Sequence, residues 1–237
     1  MREGLPPVGG YILAGGKSSR MGKDKALLEL GGKPLLQHAT TKLRRVCAEV
    51  NILGNDSALE RFGALVRDLH PGCGPMAGIE AALLNSRHEW NVVLPVDVPF
   101  LPTALLDSWL WSVLHDPIRN IKLSMTSFGG RLHPALLIVH REIATYLTDS
   151  LERGELKLLP ALRSACDVIA AKLQVGSGEV FVEMRSDEFS APVMKAGNEG
   201  WRTLTEAQRE NRSLWFANLN TPEEFAEAER HVDALDT

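Results

Sequence analysis

Two adjacent glycines, Gly15 and Gly16, follow an apolar run directly, and Lys17, Arg20, Lys23 and Lys25 crowd the stretch behind them. Adjacent glycines let a backbone approach a ligand and adopt positive φ, so successive N–H groups can converge on phosphate oxygens. The cations neutralise charge that amide dipoles leave unbalanced. This is the composition of a loop that wraps a polyphosphate. A second chemical position is Asp97 in VVLPVDVPFL, just after a run suited to a buried strand. Magnesium takes hard oxygen ligands, one or two carboxylates with phosphates and water, and a carboxylate at such a point suits it. The same residue type also caps turns, and Pro95, Pro99 and Pro102 make this a kinked segment.

Two better-known phosphate loops are excluded by spacing. The Walker pattern needs four residues between its first glycine and Gly-Lys-Ser/Thr. Here five residues separate Gly16 from Gly22-Lys23, and Asp24 stands where the magnesium-binding hydroxyl belongs. The dinucleotide fingerprint G-x-G-x-x-G fails because Gly15 and Gly16 are adjacent and no third glycine falls at the required step.

The full string LAGGKSSRMGKDK, from Leu13 to Lys25, resembles the signature L-A-G-G-x-S-x-R-M-G-x-D-K of nucleotidyltransferases and matches every fixed position. Within that nucleotide-diphospho-sugar-transferase-like superfamily, LLELGGKPLLQH, GPMAGIEAAL and NLNTPEEF resemble the molybdenum cofactor guanylyltransferases. The resemblance covers most of the chain and is weakest between about 175 and 212. It implies one nucleotidyltransferase domain over 1–237, with a nucleotide-binding part at about 8–115 and an acceptor-binding part at about 116–237. The implied reaction is magnesium-dependent transfer of GMP from GTP to molybdenum-bearing molybdopterin, giving the guanine dinucleotide form and pyrophosphate. Attack is by an acceptor phosphate oxygen on the α-phosphorus, and no covalent nucleophile is required.

The resemblance also implies roles for particular residues. The Leu13, Ala14, Gly15 and Gly16 backbone would cradle the nucleotide, Arg20 would lie near the leaving phosphates and Lys25 near the α-phosphate, with Asp97 as magnesium ligand. Asn55 and Asp68 fall to the base and ribose. A carboxylate accepts from guanine N1–H and the N2 amine, which favours guanine over adenine, although Asp68 is equally suited to capping a turn. His133, Asn218 and Asn220 fall to the acceptor; a His-Pro pair also simply constrains a turn. Relatives with two catalytic metals often carry an acidic residue where Asn220 stands. An amide brings no negative charge, so one protein-held magnesium is expected. Implied partners are molybdenum-insertion proteins and recipient molybdoenzymes.

Competing readings are a cytidylyltransferase on the same acceptor, a sugar-phosphate nucleotidyltransferase, and a non-catalytic nucleotide-binding regulatory module. Loss of Lys25 or Asp97 would mark the last, and both are present. With 237 residues, 44% hydrophobic, and a net charge of −4, there is room for a large core and no global basic field for nucleic acid. Cys47, Cys73 and Cys166 show no C-x-x-C spacing, against structural zinc or a disulfide framework. No apolar run is long enough to span a bilayer, and MREGLPPVGG lacks a signal-peptide core. The expectation is a cytoplasmic protein acting on a small anion, away from membranes and nucleic acid.

The elements that must position these residues read as α/β: a three-layer α/β/α arrangement on a mostly parallel, Rossmann-like sheet, with a mixed or antiparallel C-terminal part. Strands are expected at 8–13, 49–53, 64–66 and 90–94, and two more at 121–127 and 132–139 around Gly129-Gly130. Helices are expected after Pro34 and at 57–62, 76–84, 103–114, 143–151 and 156–162, with a last one after Thr221-Pro222-Glu223-Glu224. The poorly periodic stretch 176–212 suits a flap, an insertion or an ordered β excursion.

Overall fold

Alternate residues of the central strands go to opposite faces. Ile12, Ile52, Val92, Leu94 and Ile138 enter one apolar cluster; Tyr11, Leu53, Val93, Leu137 and Val139 enter another. Strands buried on both faces require a helical layer on each. The computed structural model describes residues 6–14, 24–116, 118–185 and 202–236. In chain order it holds β1 (Val8–Leu13), the small hairpin β2 (Glu29–Leu30) and β3 (Lys33–Pro34), α1 (Leu35–Val46), β4 (Glu49–Leu53), β5 (Ala64–Val66), α2 (Pro75–Asn85), β6 (Trp90–Pro95) and α3 (Thr103–Leu114). There follow β7 (Leu123–Phe128), β8 (Arg131–His140), α4 (Ala144–Glu152), α5 (Leu158–Leu173), α6 (Ser177–Val180), β9 (Phe181–Arg185), α7 (Glu206–Glu210) and α8 (Pro222–Ala228). Helices α1 and α3 supply one cluster, α2, α4 and α5 the other.

The main sheet has seven strands in the order β5-β4-β1-β6-β8-β7-β9. β1 pairs parallel with both β4 and β6, so Leu13 lies beside Leu53 on one side and Pro95 on the other. β8 is antiparallel to β6 and β7, while β9 returns parallel to β7. The expected mixed C-terminal part is therefore one reversed strand. Gly129 and Gly130, with φ of 57° and 71°, make its turn, the positive-φ pair that a two-residue hairpin needs. Among the described residues no helix is long and apolar enough to cross a membrane.

Two expectations need correction, and a third is narrowed. The helix expected at 156–162 runs Leu158–Leu173: Arg163 and Ser164 interrupt the apolar run, but Ala165, Cys166, Ile169 and Ala170 continue its buried stripe. The helix expected from 143 begins as a 3-10 turn, Arg141–Ile143, before α4. Within 176–212, the ordered β excursion holds for β9, whose Val182 and Met184 pack against one cluster and Phe181 against the other. Residues 186–201 lie outside the described ones.

The end of the chain is stapled to its beginning. Asp236 Oδ2 lies 2.9 Å from Lys42 Nζ of α1, and the side chains are only 7% and 1% exposed. The carboxylate also accepts from the Thr103 amide and hydroxyl at the start of α3, and from Gln208 Nε2 of α7 at 2.9 Å. Trp215 Nε1 in turn donates to the Gln208 carbonyl at 2.8 Å. This network carries residues 215–220 onto the sheet.

Burial works to raise the Asp236 carboxyl, but Lys42 and the Thr103 donors outweigh it and hold the group below its ordinary 3.8. A depressed carboxylate contributes stability above its unfolded pKa and loses it as pH falls through the folded value. Removing one partner of a buried pair costs about 3 kcal/mol. Asp236→Asn should therefore lower unfolding free energy by about that much at pH 7, measured by urea denaturation, and the gap to wild type should narrow below about pH 4.

Candidate active site

Lys25 opens a 3-10 turn, Lys25–Leu27, whose start is capped by Asp24: its Oδ1 accepts from the Ala26 amide at 3.0 Å. Ala26 is fully buried and anchors the turn. Behind it, the β2–β3 hairpin is tied to α1 by His38, whose Nε2 lies 2.9 Å from the Leu30 carbonyl. A carbonyl only accepts, so that nitrogen carries the hydrogen. Burial, with Lys42 and Lys33 nearby, holds the His38 ring below its ordinary pKa. The residue that breaks the Walker pattern thus aims the lysine.

Three distant segments meet at Lys25. Its Nζ is 2.7 Å from Asp97 Oδ2 and 2.7 Å from Asn220 Oδ1. Asp97 follows β6, where the Val96 amide donates to the Leu13 carbonyl at 3.1 Å, and the Asp97 carbonyl accepts from the Leu219 amide at 3.0 Å. Asn220 is fixed in turn: its Nδ2 donates to the Asn218 carbonyl at 3.3 Å, and its amide donates to Glu224 Oε2. Glu224 also accepts from the Thr221 amide at 2.9 Å, closing the capping box of α8. Chain order runs outward from β1 to β4 and β5, then crosses to β6. The cluster therefore sits at the switch point beside the carboxyl ends of β1 and β6, where open α/β sheets leave a crevice.

The same sheet edge carries Asn55 and Asp68. Asn55 Nδ2 donates to Asp68 Oδ2 at 2.9 Å, and the Asp68 amide donates to Asn55 Oδ1 at 3.2 Å. Gly78 of α2 packs where a Cβ would meet Leu13 Cδ2 at 3.3 Å and Asp68 Oδ1 at 3.4 Å. This close approach places Asp68 against the end of β1. The Leu13 carbonyl and the Ala14 amide are both engaged in extending the sheet, to Val96 and to Leu53. Gly15, Gly16 and Arg20 lie outside the described residues.

His133, on β8, lies with its ring centroid 5.2 Å from Phe216, which itself stacks on Phe128 at 5.6 Å. Burial, then the neighbouring Arg131, pushes the His133 pKa below its ordinary value. Near neutral pH the ring is an uncharged platform more than a phosphate-binding cation. Phe216 precedes Asn218 by two residues, so one aromatic stack joins β8 to the 218–220 segment. Sequence reasoning missed Phe216, along with Asp24 and Glu224 as aiming residues. The aromatic pair in SLWFANLNTP was the available signal for the first.

The cluster offers one ammonium and two oxygens able to exchange a cation for a phosphate environment, and no activated thiol. Burial raises the thiols of Cys47 and Cys166, the latter to about 12, which leaves them protonated. Among the described residues, no three His, Cys, Asp or Glu side chains are grouped to hold a metal. The Lys25–Asp97 pair is part-buried, with side chains 15% and 22% exposed, at the rim of the crevice. Its removal should leave a folded protein. The carboxylate that closes the capping box of α8 also orients Asn220: Glu224→Ala is expected to lower unfolding free energy by about 1 kcal/mol, read by urea denaturation.

Comparison with known proteins adds independent observations. The MobA-like NTP transferase domain matches residues 10–166. The chain is 37% identical over 164 residues to a molybdenum cofactor guanylyltransferase of Serratia proteamaculans (strain 568), spanning 67% of this chain and 80% of that protein. It is 36% identical over 167 residues to the protein of that name in Yersinia pestis (strain Pestoides F), spanning 67% and 82%. The crystal structure of molybdopterin-guanine dinucleotide biosynthesis protein A from Archaeoglobus fulgidus shares the fold, with a TM-score of 0.68 at 20% identity over 96% of this chain and 100% of that one.

Proposed function

The chain belongs to the MobA-like NTP transferase family and is a nucleotidyltransferase, and from that premise we propose that it transfers GMP from GTP to molybdenum-bearing molybdopterin, releasing pyrophosphate. The observation that carries this reading is the convergence of Lys25, Asp97 and Asn220 at the β1–β6 switch point. Two anions must approach each other in such a transfer, so the site must screen charge and align the attack. In this reading Lys25 leaves its carboxylate partner to meet the α-phosphate. Arg20 and the Gly15-Gly16 backbone, continuing from the Leu13 and Ala14 groups that the sheet holds in place, take the remaining phosphates.

The donor set fits magnesium: Asp97 Oδ2 and Asn220 Oδ1 already converge on one cationic atom, at 2.7 Å each. Both are hard oxygens, and Asp97 is the sole carboxylate of the pair, in line with a shell completed by phosphates and water. When bound, magnesium supplies Lewis-acid polarisation and charge neutralisation. Asp68, braced by Asn55, accepts from the guanine edge. His133 and Asn218, joined through Phe216, receive the acceptor, and Asn220 serves both sides of the reaction.

A pyrophosphate-release assay with GTP, CTP and ATP, each with molybdopterin acceptor and with or without magnesium, tests the reading. Release with GTP that depends on acceptor and metal is expected; no release under any combination would defeat it. Lys25→Ala should lower turnover by about 100-fold or more while GTP affinity changes by less than about tenfold. Asp97→Asn should chiefly impair magnesium-supported turnover. Unchanged turnover in both variants contradicts the site.

A further inference from the structure

Helix α2 is lined with Met76, Ala77, Gly78, Ile79, Ala81, Ala82 and Leu83, all buried, yet it carries Glu80 with no exposed surface at all. Thr148 Oγ1 of α4 donates to Glu80 Oε1 at 2.6 Å. Glu80 Oε2 is buried with no hydrogen-bond partner among the described residues. A carboxylate in that position is costly: an apolar side chain would fill the space without desolvating a charge. What Glu80 does hold is His70, whose Nε2 lies 3.5 Å from Glu80 Oε1.

His70 belongs to the segment between β5 and α2 that also carries Asp68. Cys73 of this segment packs against the α2–α4–α5 cluster. Leu69, Pro71, Gly72 and Gly74 are exposed, and the two glycines turn it with φ of 88° and 71°. The Asn55–Asp68 pair fixes its front. Behind that, the Cys73 amide returns to the His70 carbonyl at 3.3 Å, so the turn is built on His70 itself. The imidazole therefore transmits the rigid α2–α4 packing to the segment bearing Asp68.

We propose that His70, seated on the buried carboxylate of Glu80, is a positioning residue that fixes Asp68 and so sharpens selection of the guanine base; this rests on the reading above that Asp68 meets the base. Guanine presents N1–H and an N2 amine, whereas hypoxanthine presents N1–H alone. Two donors can be met together only if the carboxylate holds its orientation. A loosened Asp68 retains one contact and loses the discrimination.

The test is equilibrium binding of GTP and of inosine triphosphate, with magnesium, to the intact protein and its Asp68→Asn, His70→Ala, His70→Gln and Thr148→Val variants, with melting temperatures for each. His70→Ala should weaken GTP about fivefold and inosine triphosphate less than twofold, collapsing the ratio between them. His70→Gln, whose amide keeps a polar N–H within reach of Glu80, should restore most of the ratio. Thr148→Val, which removes the donor to Glu80 Oε1, should lower the melting temperature and shift the ratio in the same direction as His70→Ala, by less. If Asp68→Asn abolishes the preference and His70→Ala preserves it, the positioning role is overturned and the base assignment stands. If Asp68→Asn keeps the wild-type preference, the base assignment fails and the positioning role fails with it.

Discussion

One ammonium group holds the site together. Lys25 Nζ sits between the Asp97 carboxylate and the Asn220 amide oxygen, and these residues come from the beginning, middle and end of the chain. Such a meeting requires every intervening element to be in register: β1 beside β6, the 24–27 turn capped, and the C-terminal segment folded back over β6. The Leu219–Asp97 backbone bond is the last link of that chain of constraints. The pair is part-buried, and its position is set by the elements that carry its two residues.

Stability is supplied elsewhere, by buried polar groups that also aim the site. Asp236 gathers α1, α3 and α7 through Lys42, Thr103 and Gln208. It thereby commits the C-terminal residues to the face where Trp215 and Phe216 are buried. Capping does similar work at shorter range: Asp24 orients the turn bearing Lys25, and Glu224 orients Asn220. Local hydrogen bonding near the ends of short elements thus controls where the chemical side chains point.

Most of the architecture was legible because its signals are local. Strands β1 and β4 and helix α3 follow from apolar runs with clear ends, and Gly129-Gly130 announces its hairpin. The length of α5 was not, because two polar residues masked a stripe that resumes beyond them. β9 was one of three readings of its stretch for a different reason: an edge strand is specified by its partner β7, not by its own pattern. In the site, Asp97 and Lys25 could be singled out from residue type and motif. Their 2.7 Å approach and the arrival of Asn220 depend on tertiary folding, as does the contact of His133 with Phe216.

The site offers cationic and oxygen groups placed to align two anions, while the buried thiols of Cys47 and Cys166 lie in the core clusters away from it. The central claim is that transfer is a single direct displacement at the α-phosphorus, with the protein screening charge and orienting the attack. The stereochemical course tests this most directly, using GTP made chiral at the α-phosphorus by sulfur and analysing the configuration of the dinucleotide product. Inversion is the predicted result, since one in-line displacement reverses the centre. Retention would require two displacements through an enzyme-bound nucleotidyl group, and would contradict the account.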